Sequence, residues 1–447
     1  MPYQENSLPR IMGSETEYTT QFVCPDNNIR RLVPSKYILD DESQNEEVWL
    51  QNGGRLYIDY GDVLEYATPE CRNAKQVAIH EQAGEQLVRD ITTLVSKEEE
   101  LTEYEQATAY KRSGYDRVLG KEGEVLLEPM SVGHHENYAS FLHPGLSDFA
   151  KVALISYLAT RPIWAGAGLV ATNGYAISQK GSAINLDAHN TDAVTHGNKM
   201  GFSREEDERL EIRSGEGNMS EWQIVQKFAF TSLVLRLIEN RRIPDRLLLP
   251  TMYAASFLQR LSYPMVAQTM DIAASHQRAF AYEGLELAKD YPNIPHEEVA
   301  AAEAIIETTE QIEAFTDNPK KLPLLSNRLD WAAKLAYIQS RNIPLEKIST
   351  SNLSAVSHDL KWENIALSGI ARQWYKKVAH TKPDENILRQ TLYQPPNTRA
   401  KARAEAIRLF GDRIHEINWS HVSGYNRYDV PTSFHLEDPS NPTLDLS

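Results

Sequence analysis

Arg10-Ile11-Met12-Gly13-Ser14-Glu15-Thr16-Glu17-Tyr18 and Gly54-Arg55-Leu56-Tyr57-Ile58-Asp59-Tyr60 are the two stretches on which the reading of this chain turns. Both alternate side-chain character with the period of two that belongs to a half-buried strand. On such strands Glu15 and Glu17 point to one face, and Arg55, Tyr57 and Asp59 share a face in the same way. Glu65 follows shortly after the Gly61-Asp62 turn. A sheet face carrying several carboxylates is costly to bury, because like charges repel and each desolvated carboxylate requires a cation. Magnesium, a hard ion that takes oxygen ligands and whose shell ATP phosphates can complete, resolves that cost. The other reading places the acids on the solvent face of an amphipathic sheet, and spacing alone leaves both open.

Outward from these strands, residues 74–95 turn helical, and 101–130 mix short strand-like and turn-like pieces with a polar loop at 120–124. In Asn218-Met219-Ser220-Glu221-Trp222-Gln223, Ser220 reads as the N-cap of a long helix and Gln223 as the far member of a capping box. Helical periodicity then dominates residues 265–316 and 327–340. Lys382-Pro383 and Gln394-Pro395-Pro396-Asn397 punctuate the chain before a short basic helix at 398–410. We therefore expect a large domain over residues 1–379 and a small one over 380–447.

The composition is that of an ordinary globular protein, with 447 residues, 41% hydrophobic and 24% charged. No apolar run reaches bilayer length and the first residues carry no secretory pattern, so the expectation is a soluble protein without membrane partners. Cys24 and Cys71 are the only cysteines, which fits a reducing cytoplasm and excludes a disulfide framework. A net charge of −16 repels nucleic acid, so any nucleotide site needs local Arg and Lys.

Three further motifs carry two readings each. Gly133-His134-His135-Glu136 packs potential ligands together but lacks the i, i+4 histidines of a helical zinc site, so satisfied loop polar groups are the plainer reading. Gly215-Glu216-Gly217-Asn218, ahead of a helix N-terminus, is either a phosphate cradle or a tight turn. Arg399, Lys401 and Arg403 form a basic run that is either functional or a solvated helix face, and Trp419 is either a ligand contact or a core aromatic.

In this order along the chain, the motifs resemble the Pup ligase and Pup deamidase (depupylase) family. The matching strings are Arg10-Ile11-Met12-Gly13-x-Glu15-Thr16-Glu17-Tyr18, Asn52-Gly53-Gly54-Arg55-Leu56-Tyr57-Ile58-Asp59, Glu65-Tyr66-Ala67-Thr68-Pro69-Glu70-Cys71 and His135-Glu136-Asn137-Tyr138, then Ser178-Gln179, Asp330-Trp331, and Gln394-Pro395-Pro396 with Thr398-Arg399-Ala400. The resemblance implies an α+β fold: a glutamine-synthetase-like (carboxylate-amine ligase) sheet cradle with packed helices and a small C-terminal domain that completes the nucleotide site. It implies that Glu15, Tyr57 and Glu65 contact Mg2+, that Arg55, Thr68 and Trp419 contact ATP, and that Asp59 is the catalytic base. Glu17 and Glu136 fall in matching acidic motifs as further metal or phosphate-side groups, and Arg399 is a candidate phosphate neutraliser.

The activity so implied is Mg-ATP-dependent ligation of the C-terminal glutamate of a small ubiquitin-like tag protein (Pup or similar) to a lysine of a target protein, through an acyl phosphate. Glu-Thr-Glu in the first strand, Asn-Met-Ser-Glu at the helix entry and the short link from Tyr18 to Asn52 favour the ligase branch. Pro69 resembles the deamidase string, which keeps hydrolysis of the tag amide or isopeptide as an alternative. Lys180 stands where the family has Arg, Glu211 where it has His, and the string from Asn190 to His196 departs from the family's acidic pattern. Those departures motivate a third reading, a nucleotide-binding regulator without turnover. The retained acids argue against it.

Overall fold

The computed structural model describes residues 9–23, 29–31, 47–59, 63–98, 106–111, 113–119, 125–131, 133–140, 147–181, 209–261, 264–366, 368–378, 384–426 and 428–444. The polar loop at 120–124 and the string from Asn190 to His196 lie outside these residues. Strand β1 (Met12–Val23) is the spine of the fold. Around it come β2 (Ile29–Arg31), β3 (Glu47–Trp49), β4 (Arg55–Asp59), β5 (Val63–Ala67) and β6 (Gln106–Lys111). Next are β7 (Ser113–Leu119), β8 (Val125–Ser131), β9 (His134–Ala139), β10 (Leu169–Ala171), β11 (Gly174–Ala176) and β12 (Arg209–Ile212). The main antiparallel sheet runs β12-β9-β1-β5-β4-β3, with β2 and β6 pairing the far end of β1.

Strand alternation splits this sheet into two unlike faces. Met12, Tyr18, Leu56, Leu64, Tyr66, Tyr138, Leu210 and Ile212 all point to one side and enter the main core. That side is covered by the helices Ala74–Glu98 and Glu221–Glu239, which pack on each other. The remaining large helices, among them Ala267–Asp290 and His296–Asp317, stack behind them. The region of helical periodicity at 265–316 is thus a hairpin of two helices, with a break before Pro295 where helix cannot be maintained. Ser220 caps its helix by accepting from the Gln223 N–H. Gln223 does not close a capping box, because its amide instead donates to the carbonyls of Trp164 and Gly166 and accepts from Asp330 N–H.

The C-terminal sheet, β13 (Ile414–Ile417), β14 (His421–Tyr425) and β15 (Pro431–His435), packs with the helix Arg399–Phe410 around its own cluster of Ala402, Ala406, Phe410, Val422 and Phe434. The helix Glu385–Thr391 lies instead against the Ala74–Glu98 helix, where Arg389 donates two 2.9 Å hydrogen bonds to Asp90. Among the described residues, no helix is long and apolar enough to cross a membrane.

Candidate active site

The second face of the sheet carries most of the candidate site residues. Register places Glu17 opposite Glu65 and Glu65 opposite Tyr57, while Glu15 lies opposite His135. Residues far apart in sequence therefore share one patch: the ligand atoms of Glu15, Glu65 and His135 lie within 4.8 Å of one another, as do those of Glu17, Asp59 and Glu65. Glu65 belongs to both groups. Gly133 sits against Glu17 and donates its N–H to Glu17 Oε2 at 2.5 Å. A Cβ at Gly133 would come within 2.1 Å of Glu17 Oε1, so a side chain there would displace the Glu17 carboxylate.

The electrostatics of the patch are those of a site short of positive charge. Burial pushes the Glu15 carboxyl up to about 7 against the opposing pull of Arg209, Arg55 and Arg213. Glu65 is raised well above the carboxylate range by burial and then by Glu15, Glu17 and Asp59. Burial, followed by the Glu65 charge, holds the Tyr57 hydroxyl well above its ordinary value. His135 is lowered to about 4 by burial and by Lys180. Among the described residues, Glu15 Oε1, Glu65 Oε1 and the Tyr57 hydroxyl are buried without a close hydrogen-bond partner, Glu15 Oε1 standing 3.9 Å from the Arg209 guanidinium. Buried polar atoms are rarely left so, and converging carboxylate and phenol oxygens are a donor set suited to a hard divalent cation. The residues present fit Mg2+.

Beside the acids stands a basic edge that sequence reasoning did not assign. Arg209 and Arg213 flank Glu211, donating to its carboxylate at 3.4 and 2.9 Å, and His135 Nδ1 lies 3.3 Å from Glu211 and 3.1 Å from Glu15. The signal available was the i, i+2, i+4 spacing of Arg209, Glu211 and Arg213. The negative charge brought by Glu211 is thereby balanced locally. Lys180 donates from Nζ to the Arg213 carbonyl at 3.1 Å. Its loop is held through Glu216, which accepts from the N–H groups of Gln179 and Ala167.

The other sequence-predicted residues are placed as follows. Arg55 pairs with Glu47 and stacks 4.2 Å over the Tyr57 ring. Trp419 is buried with Tyr57, Ala67 and Trp49, meeting Trp49 edge-on at 4.8 Å. Thr68 extends the β1–β5 pairing, its hydroxyl accepting from Ser14 N–H at 2.9 Å and its own N–H donating to Ser14.

Glu136 and Arg399 are not brought to the patch. Glu136 is on a strand, not in a loop, and its parity turns it to the core face, where Arg161 donates two hydrogen bonds of 2.7 and 2.8 Å and Tyr138 a third. Its carboxyl is held below the ordinary range by Arg161 and Lys227, which outweigh the burial cost. Arg399 is fully buried on Glu70, so neither it nor Arg403 lies on a solvated helix face. Gly215 is a packing turn: a Cβ there would meet Glu136 Oε1 at 2.5 Å. Glu136→Gln leaves the buried Arg161 uncompensated and is expected to cost about 3–5 kcal/mol of stability. Divalent-cation affinity of the folded variant, read by calorimetry, should stay unchanged; a loss of cation affinity at unchanged melting temperature would contradict the placement.

Fold and patch together define an α+β protein whose main sheet presents a partly buried carboxylate cluster on one face. The Pup-ligase protein family profile matches residues 11–423, and the chain belongs to that family. It is 27% identical over 451 residues to a Pup--protein ligase of Acidimicrobium ferrooxidans, covering 92% of both chains. A Pup--protein ligase of Geodermatophilus obscurus is likewise 27% identical over 451 residues, with 92% and 93% covered. In fold it is similar to the ligase PafA in complex with the prokaryotic ubiquitin-like protein Pup, with a TM-score of 0.76 at 21% identity, 98% of this chain and 90% of that one covered. PafA in complex with ADP gives a TM-score of 0.69 at 20% identity, with coverage of 90% and 88%.

Proposed function

We propose that this chain is a Mg-ATP-dependent ligase that joins the side-chain carboxylate of a C-terminal glutamate, on a small ubiquitin-like tag of the Pup kind, to a lysine of a target protein. The observation that carries the reading is the shared face of Glu15, Glu17, Tyr57, Asp59 and Glu65, on which the carboxylates converge within 4.8 Å in two overlapping groups and those of Glu15 and Glu65 are buried. In this reading the sheet is a glutamine-synthetase-like cradle, residues 1–379 supply the catalytic domain, and 380–447 complete the nucleotide site with Trp419. Family membership supports it.

Glu15, Tyr57 and Glu65 would hold Mg2+, with Glu17 beside them. When bound, Mg2+ neutralises charge on the phosphoryl group passing from ATP to the tag carboxylate. Arg55, stacked on Tyr57, and the basic edge of Arg209 and Arg213 orient anionic groups above the cluster. Asp59, at the accessible end of β4, takes a proton from the incoming lysine ammonium so that the amine can attack the acyl-phosphate carbonyl, forming the isopeptide bond as the C–O bond to phosphate breaks and inorganic phosphate leaves.

Mg-ATP should raise the melting temperature, since binding to the native state alone stabilises it by about 2.7 kcal/mol at a hundredfold excess over Kd. With a tag ending in glutamate, ATP-dependent attachment to lysine should follow. Absence of both a thermal shift and calorimetric binding would remove the nucleotide from the proposal. Release of ammonia or of tag from a conjugate, without ligation, would favour the deamidase alternative.

A further inference from the structure

The basic run that begins at Arg399 contains a side chain whose contacts exceed what an ion pair needs. Arg403, on the helix Arg399–Phe410, is fully buried and reaches three separate parts of the chain with one guanidinium. Nη2 pairs with Glu70 Oε2 and Nη1 donates to Glu70 Oε1 at 3.2 Å. Nη1 also donates to the Trp419 carbonyl at 2.5 Å, and Nε donates to the Gly53 carbonyl at 3.2 Å. The guanidinium carbon stands 4.7 Å from the Trp419 ring and 5.2 Å from the Trp49 ring, so it also bridges the two tryptophans.

Charge balance shows that neutralising Glu70 does not require it. Arg399 already pairs with Glu70 at 2.9 Å, so one carboxylate faces two buried arginines. What Arg403 adds is geometry. Gly53 lies in the 50–54 turn that joins β3, bearing Trp49, to β4, bearing Arg55, Tyr57 and Asp59. That turn is pressed onto the same helix: at φ +84°, a Cβ on Gly53 would meet the Ala400 carbonyl at 2.7 Å. A planar guanidinium with donors in a fixed fork can hold a carboxylate and two carbonyls at once, which a lysine ammonium at the end of a flexible stem cannot reproduce.

We infer that Arg403 is a positioning residue for nucleotide binding: it locks the β3–β4 turn, Trp49 and Trp419 into one arrangement, so that docking of the C-terminal helix sets the aromatic wall beside the Arg55, Tyr57 and Asp59 strand. The inference rests on the nucleotide reading proposed above. Arg403→Met leaves Glu70 paired one-to-one with Arg399, so a buried charge is not abandoned and the fold is expected to survive.

The test compares wild type, Arg403→Met, Arg403→Lys and Arg236→Met by calorimetry with Mg-ATP, near-ultraviolet circular dichroism and thermal melting. Arg236 supplies the control because its buried pair with Glu298, at 2.7 Å, joins the helices Glu221–Glu239 and His296–Asp317 and involves neither the C-terminal helix nor the β3–β4 turn. Arg403→Met should weaken Mg-ATP binding on the order of tenfold and reduce the dichroism of the edge-on Trp49–Trp419 pair, even without nucleotide. Arg403→Lys should regain melting temperature but not affinity. Arg236→Met should lose melting temperature with affinity unchanged. Unaltered affinity and dichroism in folded Arg403→Met would overturn the inference, as would full recovery by lysine or an equal loss of affinity in Arg236→Met. If wild type itself fails to bind Mg-ATP, the nucleotide reading has failed, and the ligand-free dichroism still reports whether Arg403 orders the tryptophans.

Discussion

Asp59→Asn should lower the rate of tag conjugation by about a hundredfold to ten-thousandfold, the usual cost of removing a general base. This corresponds to roughly 3–5 kcal/mol of transition-state stabilisation. Asparagine keeps the shape of the side chain at the end of β4 and removes only its capacity to accept a proton. Asp59 also lies within 4.8 Å of Glu17 and Glu65, so a second explanation, loss of a cation ligand, has to be separated from loss of a base. The separation comes from measuring cation and ATP affinity on the same variant. Where the base is lost, kcat falls and both affinities largely survive. A fall in rate matched by the fall in cation affinity would reassign Asp59 as a ligand, and turnover near that of wild type would exclude it from the chemistry.

Glu15→Gln is expected to weaken Mg2+ or Mn2+ binding by at least about ten- to a hundredfold, the range that loss of supporting groups around a metal site already costs. The same variant should make the cation-free protein more stable at neutral pH, and the sign follows from linkage. The Glu15 carboxyl sits at about 7 in the fold against an ordinary 4.5, so between those values the folded state binds more protons than the unfolded one. Its contribution is fully present below about pH 4.5 and is lost as pH rises toward 7. Glu65 and Glu211 shift in the same direction. Wild type and Glu15→Gln should therefore melt alike in acid and diverge with rising pH, the variant being the more stable. Saturating Mg2+ should close the gap by binding the ionised form. Identical pH profiles and unchanged cation affinity would show that the cluster does not bind metal through Glu15.

Between these two residues the sheet register does the work, and register is where local sequence stops being informative. That Glu15 and Glu17 share a face followed from their spacing, as did the faces of Tyr57 and Asp59, because side-chain direction in a strand repeats every two residues. The same rule, applied to β9, separates His135 from Glu136, yet the string His134-His135-Glu136 carries too few apolar residues to announce a strand at all. Only pairing with β1 revealed it. The burial of the basic run is illegible for a related reason. Arg399 and Arg403 have the composition of a solvated helix face, and what buries them is Glu70, more than 300 residues earlier.

The sequence by itself determined the two carboxylate-bearing strands, the capped helix at Ser220, the basic helix at Thr398 and the family whose motifs follow in order. These are properties of neighbours a few residues apart, set by strand and helix periodicity and by capping chemistry. Only the tertiary structure decided which acids converge, that Glu136 serves an ion pair with Arg161 on the core face, and that His135, Arg209 and Glu211 border the cluster. It also decided that Arg403 ties Gly53, Glu70 and Trp419 together. Each of these depends on long-range pairing in which burial removes water, so that a charge must find its partner wherever in the chain that partner lies.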